Sequence, residues 1–131
     1  MTAGRASNKF DGLQSALKKL EEVMDRPETD SIVIDAAIQR FEFTFELAWK
    51  VMKDYLEYQG LRIPGPRECI KEAFKYDLIK KGDAWIDMLE KRNLTSHLYD
   101  EKMALEIFRA IKEKYVAMFK EFVEEMSTRL N

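Results

Sequence analysis

A chain of 131 residues, 46% hydrophobic and 35% charged, has room for one domain with a real core and little room for a second. Its formal charge of -2, from 22 basic and 24 acidic side chains, excludes a general attraction for nucleic acid, so any RNA contact must be local. One cysteine, Cys69, excludes an internal disulfide framework and fits a reducing compartment.

With 5 Gly and 3 Pro the composition suits long amphipathic helices, and strand signals are weak throughout. No apolar run approaches the roughly 20 residues of a membrane span. The opening MTAGRASNKF lacks the apolar stretch of a signal peptide, so the cytoplasm is the expected compartment.

Residues 1–7 read as a flexible N-terminal arm and 8–131 as a single helical-bundle domain. From Phe10 the apolar residues Phe10, Leu13, Leu17, Leu20 and Met24 alternate three and four apart, as one helical face requires, with Ser7 or Asn8 as candidate cap. Pro27 breaks the pattern, and Asp30 or Ser31 can cap a second helix. That helix carries Ile34, Ile38, Phe41, Phe45, Ala48, Met52 and Tyr55, flanked by Phe43, Leu47, Trp49 and Val51. Its apolar arc is wide enough to demand cover on more than one side, from a bundle or from a second subunit.

Gly60 is suited to end the second helix in a left-handed conformation, and Pro66 to open a short third helix running to about Tyr76. Lys80-Lys81-Gly82 is a break. Asp83 is the candidate cap of a fourth helix through Trp85, Met88 and Leu89 towards Arg92. A fifth begins near Asp100-Glu101 and carries Ala104, Phe108, Ile111, Tyr115, Met118 and Phe122 to about Thr128. The expected fold is all-α, an antiparallel up-and-down bundle of about five helices.

Most catalytic motifs need residues that are missing. With one cysteine and one histidine, His97, there is no zinc site and no metalloprotease pair, and Cys69 with His97 could meet only by chance. The five glycines form no phosphate-cradling loop and no dinucleotide fingerprint, and neither a metal nor a cofactor is expected.

What remains is Arg92, Asn93, Ser96, His97 and Tyr99 within eight residues at a helix junction. Histidine moves protons near neutral pH, and arginine can hold a phosphate and stabilise charge developing on it. Together they suit phosphodiester cleavage in which an RNA 2′-hydroxyl attacks the adjacent phosphate, His97 acts as general base or acid, and Arg92 stabilises the crowded phosphorus. On a continuous helix, residues five apart diverge by about 140°. The helix is therefore expected to loosen between Asn93 and Tyr99, or a second copy to complete the site. By spacing alone, the more economical reading is a polar helix end with capping side chains and an Arg92 paired to a carboxylate.

Glu42 and Glu46, with Lys50 and Lys53, read as a solvated charged stripe beside the apolar face of the second helix. Trp49 and Trp85 read as core anchors and Cys69 as inert packing on a helix face. Lys80, Lys81, Lys91, Arg62, Arg67 and Lys71 are candidates for a basic rim near the junction.

Four stretches carry a family resemblance that spans nearly all of residues 8–127. They are AIQRFEFTFELAWK from Ala37 to Lys50, Pro66-Arg67-Glu68, Ala84-Trp85, and RNLTSHLYDE from Arg92 to Glu101. The chain resembles the nucleotidyltransferase substrate-binding proteins, a branch of the HEPN superfamily that includes the HepT toxins. One departure is Leu98, where that pattern would have threonine.

The resemblance implies a HEPN-like bundle, a homodimer, and a separately encoded small nucleotidyltransferase of the MNT type as partner. In HepT-like members the Arg and His of this motif belong to a metal-independent RNase site at the dimer cleft, and the partner silences it by adding AMP to the motif tyrosine. Carried over, Arg92 and His97 are the catalytic candidates, Asn93 and Ser96 support them, and Tyr99 is the modified residue of a toxin–antitoxin pair. Glu46 and Trp49 are candidates for lining the cleft. Other members are described only as substrate-binding subunits of the nucleotidyltransferase, which leaves a non-catalytic adaptor as the alternative.

Overall fold

A computed structural model of the chain describes residues 2–97 and 100–130, and every regular element among them is helical. Helix α1 spans Thr2–Met24, α2 Ser31–Tyr58, α3 Pro66–Lys75 and α4 Gly82–Leu94. A 3-10 turn covers Thr95–His97, followed by α5 over Glu101–Ala110 and α6 over Val116–Leu130. A π-helical turn, Ile111–Tyr115, joins α5 and α6 into one rod. None of these helices is long and apolar enough to cross a membrane.

Successive long rods alternate in direction. Lys9, early in α1, donates to Asp54, late in α2, at 2.7 Å, so those two are antiparallel. Thr95, just past α4, reaches Glu42 in the first half of α2, while Trp85 at the start of α4 meets Phe122 far along α6. The rod of α5 and α6 then returns alongside α2, with Arg109 bonded to Glu28 at one end and Arg129 near Tyr55 at the other. The result is the expected up-and-down bundle, with short α3 laid against α2 and α4.

Helix α2 is central because it is apolar on several sides. Phe41, Phe45, Ala48, Val51 and Met52 are all fully buried. Phe41 stacks on Tyr115 with ring centroids 5.5 Å apart, and Trp85 stands edge-on to Phe119 at 5.8 Å and to Phe122 at 5.7 Å. Edge-on and offset pairs match the positive ring edge of one aromatic to the negative face of another. Two polar side chains share this interior. Thr44 donates back to the Arg40 carbonyl, and Asp54, with 2% of its side chain exposed, is held by Lys9.

Several ends of these helices follow from single residues. Asp30 accepts from Ile32 N–H and Asp100 from Lys102 N–H, each at 2.9 Å, which satisfies donors that have no partner within the helix. Gly60 sits at φ 100, the left-handed region, which lets Leu61 N–H return to the Leu56 carbonyl at 3.1 Å and close α2.

Two expectations are corrected. Helix α1 begins at Thr2, with Ala6, fully buried, continuing the stripe of Phe10 and Leu13 back by one turn, so neither Ser7 nor Asn8 caps it. Asp83 lies in the first turn of α4, whose N-cap is Lys81 with no side-chain bond. An acidic residue within that first turn still faces the positive end of the helix dipole.

Candidate functional site

The junction of α4 and the 3-10 turn packs across α2, and the sequence between Arg92 and His97 changes its winding there. Thr95 causes much of this. Its hydroxyl lies 2.6 Å from the Arg92 carbonyl oxygen, which also accepts the Thr95 backbone N–H, and 2.6 Å from Glu42 Oε2 on α2. The α-helix continues through Leu94 and gives way to tighter 3-10 winding over Thr95–His97, while the rest of the stretch expected to loosen, Leu98 and Tyr99, lies outside the described residues.

Arg92 turns towards α2. Its guanidinium forms an ion pair with Glu46, lies 6.0 Å from the centroid of the Phe45 ring, and donates to the Asn93 side-chain oxygen at 3.2 Å. Glu46 is itself fixed from the other side by Trp49 Nε1–H at 3.2 Å, with Lys50 Nζ at 3.7 Å. Solvent reaches the Arg92–Glu46 pair, whose side chains are 30% and 29% exposed. Beside it opens a groove of about 610 Å3 whose walls include Gln39, Glu42, Glu46, Arg92, Asn93 and Ser96. Phe43, 62% exposed, adds an apolar edge.

The structure therefore brings together Arg92, Asn93, Ser96 and Glu46, with Trp49 directly behind Glu46. His97 is exposed on the next position of the turn, and the groove's lining stops at Ser96. Tyr99, like Leu98, lies outside the described residues.

Glu42 and Thr95 were not singled out as site residues from the sequence, and the solvated-stripe reading of Glu42 and Glu46 is corrected by their bonds to Thr95 and Arg92. The usable signal was their spacing, since two carboxylates one turn apart on α2 match a hydroxyl and a guanidinium one turn apart at the end of α4. The basic rim is not assembled at this junction. Arg67 pairs with Glu90 at 3.7 Å and Lys91 with Asp87 at 3.1 Å, while Lys80 and Lys81 precede α4 at its far end.

Cys69 and His97 form no dyad. Cys69 is fully buried, its thiol lies 3.4 Å from the Trp49 carbonyl oxygen, and burial pushes its pKa up to about 12. Among the described residues no group of three or more His, Cys, Asp or Glu gathers to hold a metal ion.

Chemically, the groove offers a cation already oriented by two neighbours, hydrogen-bonding groups around it, and an imidazole at its margin. Five N–H donors on one guanidinium leave room for a phosphate oxygen beside the Glu46 carboxylate.

The family model described as nucleotidyltransferase substrate binding protein like matches residues 8–128. A Haemophilus influenzae protein named probable ribonuclease HepT is 33% identical over 86 residues, which are 62% of this chain and 59% of that protein. A crystal structure from Thermus thermophilus is 33% identical with a TM-score of 0.74, covering 91% of this chain and 98% of that one. A Shewanella oneidensis HEPN toxin, tri-AMPylated and in complex with an MNT antitoxin, superposes with a TM-score of 0.79 at 20% identity, over 94% of this chain and 96% of the toxin, which gives the bundle the HEPN fold.

Proposed function

Because this chain belongs to the family of nucleotidyltransferase substrate binding protein-like chains, we propose that it is the HepT-like toxin of a toxin–antitoxin pair, a metal-independent endoribonuclease that works as a cytoplasmic homodimer. The observation that carries this reading is the Arg92 guanidinium held at the wall of an open groove, with the exposed His97 at the end of the 3-10 turn that follows α4. The resemblance to the Haemophilus influenzae protein named as a ribonuclease supports it, over little more than half of that protein's length.

In the proposed reaction the RNA 2′-oxygen bonds to phosphorus as the bond to the 5′-oxygen breaks. His97 takes the 2′-hydroxyl proton or supplies one to the departing 5′-oxygen, and a second subunit at the cleft brings the complementary imidazole. The products are a 2′,3′-cyclic phosphate and a 5′-hydroxyl. Arg92 stabilises the charge that builds on the phosphoryl oxygens, a task for which a delocalised, always-charged donor is suited. Glu46 and Trp49 hold Arg92 in place, and Asn93 and Ser96 offer further hydrogen bonds to the substrate.

The partner in this scheme is a small MNT-type nucleotidyltransferase that transfers AMP from ATP to Tyr99. The phenol oxygen bonds to the α-phosphorus and pyrophosphate leaves. The chain then carries a bulky anion two residues along from His97, which competes with the phosphates of RNA. The AMPylated state of the Shewanella oneidensis toxin supports this part of the reading.

The alternative is a non-catalytic substrate-binding subunit of the nucleotidyltransferase, favoured by the pairing of Arg92 with Glu46 and by the position of His97 beyond the groove's lining. Incubation of the purified chain with RNA in EDTA separates the two. Cleavage by wild type that is lost in both Arg92→Ala and His97→Ala supports the toxin. Intact RNA, with tight binding to the nucleotidyltransferase, overturns it in favour of the binding subunit. Intact mass after reaction with that enzyme and ATP tests the silencing step, which fails if Tyr99→Phe gains AMP as readily as wild type.

A further inference from the structure

Away from the Arg92 groove, α3 and the first turn of α4 enclose a second, more apolar groove of about 860 Å3. Phe74 and Ile86 give it aromatic and aliphatic walls, with Ile70, fully buried, beneath them. Phe74 is 50% exposed, a large apolar surface to leave against water. Its ring packs on Gly82, where an added Cβ would come within 3.2 Å of the ring.

Charge around this groove is one-sided. Lys71, Lys75, Lys80 and Lys81 line it, against the single carboxylate of Asp83, in a chain whose overall charge is -2. Among the described residues only Lys75 of the four has an ion-pair partner, Glu72 at 3.5 Å. The other three ammonium groups are available to an incoming anion.

We propose that this groove is a docking site for an acidic amphipathic segment of a partner protein, whose apolar face enters against Phe74 and Ile86 while its carboxylates meet the lysines. Helix-in-groove recognition has this division of labour, with apolar anchors supplying affinity and complementary charge supplying encounter rate and register. A nucleic-acid strand fits less well. Bases need open aromatic faces to stack on, and here one side of the single aromatic ring is covered by Gly82 while the rest of the apolar wall is aliphatic. The site shares no lining residue with the Arg92 groove and does not depend on whether RNA is cleaved there.

The test uses the full chain and a fluorescently labelled helical peptide with leucines at i, i+3, i+4 and i+7 and glutamates on the remaining face, read by anisotropy. The wild type binds it, more weakly as salt rises, and the double variant Lys80→Glu/Lys81→Glu binds about tenfold more weakly or worse. Ile86→Asp, in the apolar wall, gives a similar loss. Circular dichroism confirms that both variants remain folded. Absence of binding, equal binding of a peptide with lysines in place of glutamates, or no change in the variants overturns the proposal. So does preferred capture of an oligouridylate or of dodecanoate, displaced by the same substitutions, which would assign the groove to nucleic acid or to an anionic amphiphile.

Discussion

Glu46 of α2 and Arg92 of α4 form an ion pair across the open groove, and Trp49 fixes the carboxylate from behind. Glu46→Ala leaves the guanidinium free to rotate away from the groove wall. The expected result is a fall in RNA cleavage of about tenfold, as for loss of an orienting contact, with a stability change below about 1 kcal/mol because the pair is partly solvated. Cleavage rates in EDTA and thermal melts measure the two separately, and a large stability loss with unchanged cleavage would refute the positioning role.

Thr95 joins the end of α4 to α2 through Glu42. Thr95→Val removes the hydroxyl at nearly constant volume and should cost about 1 kcal/mol, with faster amide exchange over 93–97. Thr95→Ser keeps the bond and should restore wild-type exchange. Equal exchange in all three proteins would show that the turn does not depend on this contact.

Asp54 is an almost fully buried carboxylate whose bonded cation is Lys9. Lys9→Met keeps the aliphatic stem and removes the charge, leaving an uncompensated carboxylate inside the bundle. A loss of about 2 kcal/mol is expected, read from urea denaturation. A loss near zero would mean that solvent already serves Asp54.

The Tyr115 hydroxyl donates to Asp87 at 2.8 Å. Burial, then this bond, raises the tyrosine pKa, while the same bond, followed by Lys91, lowers that of Asp87. A raised tyrosine pKa means that the folded chain holds its proton more tightly than the unfolded chain. That stability is therefore fully present below the ordinary tyrosine value of about 10 and is lost as pH rises above it. The lowered Asp87 pKa works at the other end, its contribution being present above the ordinary carboxylate range and lost as pH falls through it. Tyr115→Phe should flatten both limbs of a melting-temperature profile against pH, and an unchanged profile would refute the linkage.

With its pKa near 12 and no exposed surface, the Cys69 thiol should resist alkylation in the native chain at about pH 8 and react at once in denaturant. Rapid modification of the folded protein would contradict its burial.

Much of the bundle was readable because burial imposes a period. Leu13, Leu17 and Leu20, or Phe108, Ile111 and Tyr115, are apolar for the same reason that they face inward. Caps such as Asp30 and Asp100 were readable because a side chain meets a backbone donor two residues away. The site was only partly legible. Arg92 and His97 stand out by type, but Glu42 and Glu46 lie on a distant helix, and nothing local says whether a carboxylate meets water or a guanidinium. The π-helical turn was invisible since its apolar residues keep an ordinary three-and-four spacing. Ala6 continues the buried stripe of α1 by one turn, but a small residue gives only a faint periodic signal.

The π-helical turn between α5 and α6 has a consequence for chain length. A π bulge amounts to one residue inserted into an α-helix, and each residue of such a helix advances by about 100°. Were all of Ile111–Tyr115 wound as regular α-helix instead, everything downstream would rotate by that angle, taking Phe119 and Phe122 off Trp85 and Arg129 away from Tyr55. The wide turn thus absorbs one supernumerary amino acid and keeps the molecule's final helix in phase with its neighbours.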